Sequence, residues 1–184
     1  FRDAVEGATH YTQSQGDPEL VEAIQAYLMK RFGEDFSTRQ IVVTTGGIGG
    51  LSSFFRTALN PGDEVLLLEP YFPPYKHLIE WVGGKATSVR TSFENGFMPT
   101  GQTLEEAITP STRVLLLNSP NNPTGAVIPA DTLDGIARIA VDGDVLVSRL
   151  VVYCWLVFVC LGPYPSLWLF LLFWLGLLRL WLCP

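Results

Sequence analysis

Asn118-Ser119-Pro120-Asn121-Asn122-Pro123-Thr124-Gly125 follows the apolar run Val114-Leu115-Leu116-Leu117. Such a run reads as a short buried strand. A strand that ends in Asn, Pro and Gly brings backbone and amide groups to the C-terminal edge of a sheet, where open α/β folds bind ligands. An Asn amide there both donates and accepts hydrogen bonds. The same residue types also build plain turns. Gly46-Gly47-Ile48-Gly49-Gly50 is a second candidate, placed after the β-branched run Ile41-Val42-Val43-Thr44. Small residues ahead of a helix let its first N–H groups close on a phosphate. The third Gly of G-x-G-x-x-G is missing, and no Gly-Lys-Ser/Thr follows, so this is neither a dinucleotide fingerprint nor a P-loop. A tight structural turn explains it as well. Tyr71, Phe72 and Tyr75 form an aromatic loop that could stack on a planar ring or simply pack. Tyr11 stands alone in polar surroundings, as surface tyrosines do.

These residues need a scaffold, and the chain spells one out. Asp17-Pro18-Glu19 starts a helix: Asp17 caps, Pro18 suits the first position and Glu19 complements the dipole. Leu20, Ile24, Tyr27 and Leu28 form its apolar face, and Gly33 ends it. Strands are expected at Ile41–Thr44, Glu64–Glu69, Lys85–Arg90, Arg113–Asn118 and Asp144–Ser148. Between them fall helices at Leu51–Leu59 and His77–Val82, one opened by a capping box at Thr103-Leu104-Glu105-Glu106, and one marked by Leu133, Ile136, Ala137 and Ala140. The alternation predicts a three-layer α/β/α domain with a mostly parallel sheet.

Charge divides the 184 residues in two. Residues 1–144 hold all 18 acids and ten of the twelve Lys and Arg, a net charge of −8. Residues 145–184 hold only Arg149 and Arg179, together with all three Cys and four of the five Trp. The first part has the composition of an acidic enzyme and no basic patch for nucleic acid. It opens on Phe1, as a fragment or processed product would, and no signal-peptide pattern follows. Cys154, Cys160 and Cys183 have no metal-ligand spacing and no C-x-x-C, so no metal site is expected.

The order of the motifs is more specific than any one of them. Tyr11 and Gly16 precede a helix; a glycine-rich turn follows the next strand; then come Asn60-Pro61-Gly62-Asp63-Glu64, the aromatic loop and Asn-Asn-Pro-Thr-Gly. From about Ala8 to Ser148 the chain resembles the class I/II aminotransferases, fold-type I enzymes dependent on pyridoxal 5'-phosphate. The resemblance implies that the backbone of Gly46, Gly47 and Ile48 holds the cofactor phosphate. It implies that Phe72 stacks on the pyridine ring and that Asn122 bonds the phenolic oxygen. Tyr153 matches a further cofactor-binding Tyr if one residue has been inserted. Tyr11 matches the Tyr that reaches the phosphate of the neighbouring subunit. It further implies a cytoplasmic homodimer moving an amino group between an amino acid and a 2-oxo acid, with no nucleic-acid partner.

The family pattern then breaks. Ser148 is followed by Arg149 where the family has an Asp against the pyridine nitrogen, and a cation there would repel a protonated ring. The Schiff-base lysine is absent: Lys30, Lys76 and Lys85 all precede Asn122. Residues 1–148 are therefore expected to be part of the cofactor-binding large domain, and residues 149–184 an aberrant apolar tail outside the family sheet. That tail has apolar runs at 150–161 and 167–182, each shorter than the roughly 20 residues of a spanning helix. The expected function is that of an aminotransferase by family, inactive as this chain alone. The alternatives are a non-catalytic phosphate- or cofactor-binding remnant, or a chain that meets membrane through its tail.

Overall fold

The computed structural model describes residues 11–33, 35–151, 156–160 and 168–172. Helix α1 (Pro18–Phe32) is capped as its sequence predicts: the Asp17 carboxylate accepts from the Glu19 and Leu20 N–H groups, and the Gly33 N–H donates to the Met29 carbonyl. Its buried face is Val21, Ile24 and Leu28. Tyr27 lies off that face, 45% exposed, with its ring against Phe32.

Strand β1 (Ile41–Val43) leads into α2 (Gly46–Ala58). Then follow β2 (Glu64–Glu69), α3 (Pro74–Trp81), β3 (Lys85–Arg90), α4 (Gly101–Ala107), β4 (Thr112–Asn118) and α5 (Ala130–Asp142). The remaining strands are β5 (Leu146–Val151), β6 (Leu156–Cys160) and β7 (Trp168–Leu172). All five expected strands exist. The last starts two residues late, because α5 unwinds through Gly143 and Asp144, the latter at φ 51°, before extending. Helix α4 is capped by Thr100, with Thr103 as the reciprocal partner three residues on, so the capping box begins one turn earlier than its sequence suggested.

The sheet order is β1-β7-β6-β5-β4-β2-β3. Only β6 runs against the rest. Helices cover both faces, as a largely parallel sheet requires. On one face Leu51, Phe54 and Phe55 of α2 and Tyr75 and Ile79 of α3 pack on Val65, Leu67, Val114 and Leu116. On the other, Leu104 of α4 and Ile136 and Ala140 of α5 pack on Leu66, Leu68, Leu115 and Leu117. This is the expected three-layer architecture. The tail differs from expectation: β6 and β7 lie inside the sheet and are the strands that join β1 to β5. Their apolar, β-branched and aromatic composition suits a central strand, and that outweighs their departure from family wording.

Candidate active site

Because every strand except β6 is parallel, the residues that follow β1, β2 and β4 emerge at the same edge of the sheet. Gly46–Ile48, Phe72 and Asn122 all belong to those segments. β1 is four strand spacings from β4 in the sheet order, about 19 Å at ~4.8 Å each. Helix α2 bridges that span, starting beyond β1 and burying Leu51, Phe54 and Phe55 against β2 and β4.

The glycine-rich segment is helical from Gly46 onward, so the expected turn is the first turn of α2. Four glycines are poor helix formers, but the apolar face beyond them holds the helix down. Gly46 is buried with φ 98°, a backbone that a side chain would strain. The N-cap residue Thr45 makes no side-chain capping bond. The Thr44 hydroxyl donates instead to the Gly46 carbonyl at 3.1 Å. The first N–H groups of α2 are thus left without a side-chain cap, at the positive end of the helix dipole. Ile48 is 42% exposed at this end.

Phe72 is partly buried, its ring 5.5 Å from that of Tyr75 and edge-on at 75°. Tyr75 is only 5% exposed, and burial pushes its phenol up to about 12. It meets Asn118, the buried last residue of β4. With its amide turned to satisfy every neighbour, Asn118 accepts from the Tyr75 hydroxyl at 3.2 Å and from the Asn122 backbone N–H at 2.9 Å, and donates to the Pro120 carbonyl at 3.0 Å. Ser119, also buried, accepts the Ile128 N–H at 3.0 Å. Asn121 closes the loop, its side chain accepting from the Thr124 N–H and hydroxyl and its carbonyl from the Gly125 N–H. The Asn122 side chain itself is exposed.

Sequence reasoning assigned Phe72 and Asn122 to the cofactor and named Tyr75 and Asn118 only as a loop aromatic and a strand-ending amide; it missed that these two bond to each other and so connect them. The available signal was an Asn closing an otherwise apolar strand. Tyr11 is wholly exposed. Tyr153 lies outside the described residues. Arg149 is exposed and alternates with Ser148 along β5, on the same side as Val147, which packs with the α4 and α5 core. That side is opposite to the one carrying Tyr75 and Asn118. The hydroxyl of Ser148, fully buried on the α2 side, has no partner among the described residues.

None of the lysines is presented as a free amine from a site-forming loop. Lys30 is exposed on α1. Lys76 is on α3, 3.7 Å from Glu80. Lys85 starts β3 at the opposite edge of the sheet, bonded to Glu64 at 2.6 Å. Among the described residues no group of His, Cys, Asp and Glu is gathered for a metal ion, and no helix is long and apolar enough to cross a membrane.

Residues 2–148 match the family model described as aminotransferase class I and II. The chain belongs to this family. It is 41% identical over 143 residues to the aspartate/prephenate aminotransferase of Thermus thermophilus, covering 78% of this chain and 37% of that protein. It is 38% identical over 151 residues to the asparagine–oxo-acid transaminase of Streptococcus mutans, covering 82% and 38%. The structure of an aspartate aminotransferase from Thermus thermophilus with maleate superposes with a TM-score of 0.78 at 38% identity, over 83% of this chain and 40% of that one. The chain therefore spans little more than a third of the length of these class I/II aminotransferases.

Proposed function

We propose that this chain is the cofactor-binding part of a pyridoxal-phosphate-dependent aminotransferase that moves an amino group between an amino acid and a 2-oxo acid. In this reading residues 1–148 belong to the large domain, and residues 149–184, which depart from the family in sequence, add the end of β5 and strands β6 and β7 to its sheet. The protein works as a cytoplasmic homodimer. The observation that carries the reading is the start of α2: uncapped N–H groups, a buried glycine at φ 98°, and a helix dipole, at the sheet edge that also carries Phe72 and Asn122.

The residues present fit two parts of the cofactor. The amides of Gly46, Gly47 and Ile48 would take the phosphate. Phe72, backed by Tyr75, would offer its ring face to the pyridine, and the exposed Asn122 amide would meet the phenolic oxygen. Tyr11 would reach the phosphate held by a second copy, in keeping with its full exposure, and Tyr153 would add a further contact. The bound cofactor supplies an electron sink. The residues do not fit its remaining needs: among the described residues no lysine stands at the site and no carboxylate accompanies the ring. No proton-transfer step is assigned to this chain, and by itself it binds without turnover.

Titration with pyridoxamine 5'-phosphate tests the reading, since this form has no aldehyde to react with stray lysines. Saturable binding is expected, weakened about tenfold by Phe72→Ala, in line with roughly 1.4 kcal/mol of lost ring contact. Gly46→Ala should weaken it at least as much by straining the turn. Binding no tighter than that of inorganic phosphate would reduce the chain to a phosphate-binding remnant. No binding would overturn the reading.

A further inference from the structure

We infer that Asn118 is a positioning residue, a single buried amide that sets the Asn122 backbone and the Tyr75 hydroxyl in one fixed relation. The inference rests on the cofactor-binding reading above and names what holds two of its recognition groups in place. Asn118 is 6% exposed, so bonds lost there are not replaced by water. It uses its carbonyl oxygen twice, towards Asn122 N–H and Tyr75 O–H, and its amide nitrogen once, towards the Pro120 carbonyl. Tyr75 carries the relation on, because its ring lies edge-on to Phe72 at 5.5 Å.

Among the described residues, the remaining bonds of the loop run to itself and to its exit. Asn121 bonds Thr124 and Gly125, its N–H donates to the Ala126 carbonyl, and Ser119 holds Ile128. These bonds shape the loop without referring it to the aromatic segment. Asn118 makes that cross-connection, from the end of β4 to the first turn of α3. An apolar residue at this position would bury equally well, yet it would leave the Asn122 N–H and the Tyr75 hydroxyl unpaired together.

The test compares pyridoxamine 5'-phosphate with its analogue lacking the ring hydroxyl, on the full chain. The unaltered protein should prefer the hydroxyl-bearing ligand by about tenfold, the worth of one hydrogen bond. Asn122→Ala should abolish that preference. Asn118→Leu should abolish it too, and the double variant should lose nothing more. Asn118→Asp, which keeps the oxygen that accepts from Asn122 and Tyr75 but loses the donation to the Pro120 carbonyl, should retain part of it. Tyr75→Phe, which keeps the ring against Phe72 and is the milder change if Asn118→Leu does not fold, should cut the preference about threefold. A folded Asn118→Leu with the full preference would overturn the inference, as would an unchanged preference in Tyr75→Phe when Asn118→Leu does not fold. Ligand binding with no preference in the unaltered chain would overturn it while sparing the cofactor reading, and no binding at all would overturn both.

Discussion

Glu64 is a charged residue that the fold leaves only 7% exposed, and its partners explain how. Lys85 Nζ lies 2.6 Å from one carboxylate oxygen and the Thr109 hydroxyl donates to the other at 2.8 Å. The bond from Lys85 and then that from Thr109 lower its pKa, against the opposing effect of burial. A carboxyl whose folded pKa lies below its unfolded value adds stability above the unfolded pKa, and that stability is lost as pH falls through the folded pKa. Lys85 is well exposed, so solvent screens much of the attraction. Glu64→Gln is predicted to cost about 1 kcal/mol at pH 7. Urea midpoints of the two proteins should converge as pH drops below about 4.5, towards and through the folded pKa. A gap that stays constant down to pH 3 would show that the charge contributes nothing.

At the scale of elements, the entry loop before α1 is fastened to β1. The Val43 N–H donates to the Gln15 carbonyl at 2.8 Å, and the Gln15 amide donates to the Ile41 and Thr38 carbonyls. Gly16, at φ 122°, lies so close that a Cβ would come within 2.7 Å of Val43. Gly16→Ala combines strain and overlap, and should cost about 2–4 kcal/mol, read as a lower urea midpoint at unchanged m-value. A loss under about 0.5 kcal/mol would mean the loop simply moves aside. Much of this level was legible in the sequence. Asp17-Pro18 and Gly33 bracket α1, and β2 and β4 follow from uninterrupted apolar runs, because caps and burial are local or compositional signals. The helical start at Gly46 was not legible, since it depends on Leu51 and Phe55 being anchored by distant strands. Nor was the bond between the Tyr75 hydroxyl and Asn118, 43 residues apart, because a polar strand end does not name its partner.

For the whole molecule, β1 reaches the other strands only through β7 and β6. The apolar composition of residues 149–184 suggests a foreign tail, but composition alone does not say that two of its segments insert between β1 and β5. A chain ending at residue 151 should leave β1 and the start of α2 unsupported. Hydrogen exchange at Ile41–Val43 is predicted to rise at least a hundredfold in that chain, while β2 and β4 exchange less changed, as local opening would give. Full protection of β1 after the truncation would contradict this placement of the tail.

The central claim is that this chain holds the phosphate and ring subsites of a class I/II aminotransferase without its amine. Borohydride reduction after incubation with pyridoxal phosphate, followed by peptide mapping beside an amino-transfer assay, tests it most directly. The expected result is substoichiometric labelling scattered over Lys30, Lys76 and Lys85, with no amino transfer. Stoichiometric labelling of one lysine, with turnover that vanishes when that lysine is replaced by Ala, would contradict the claim.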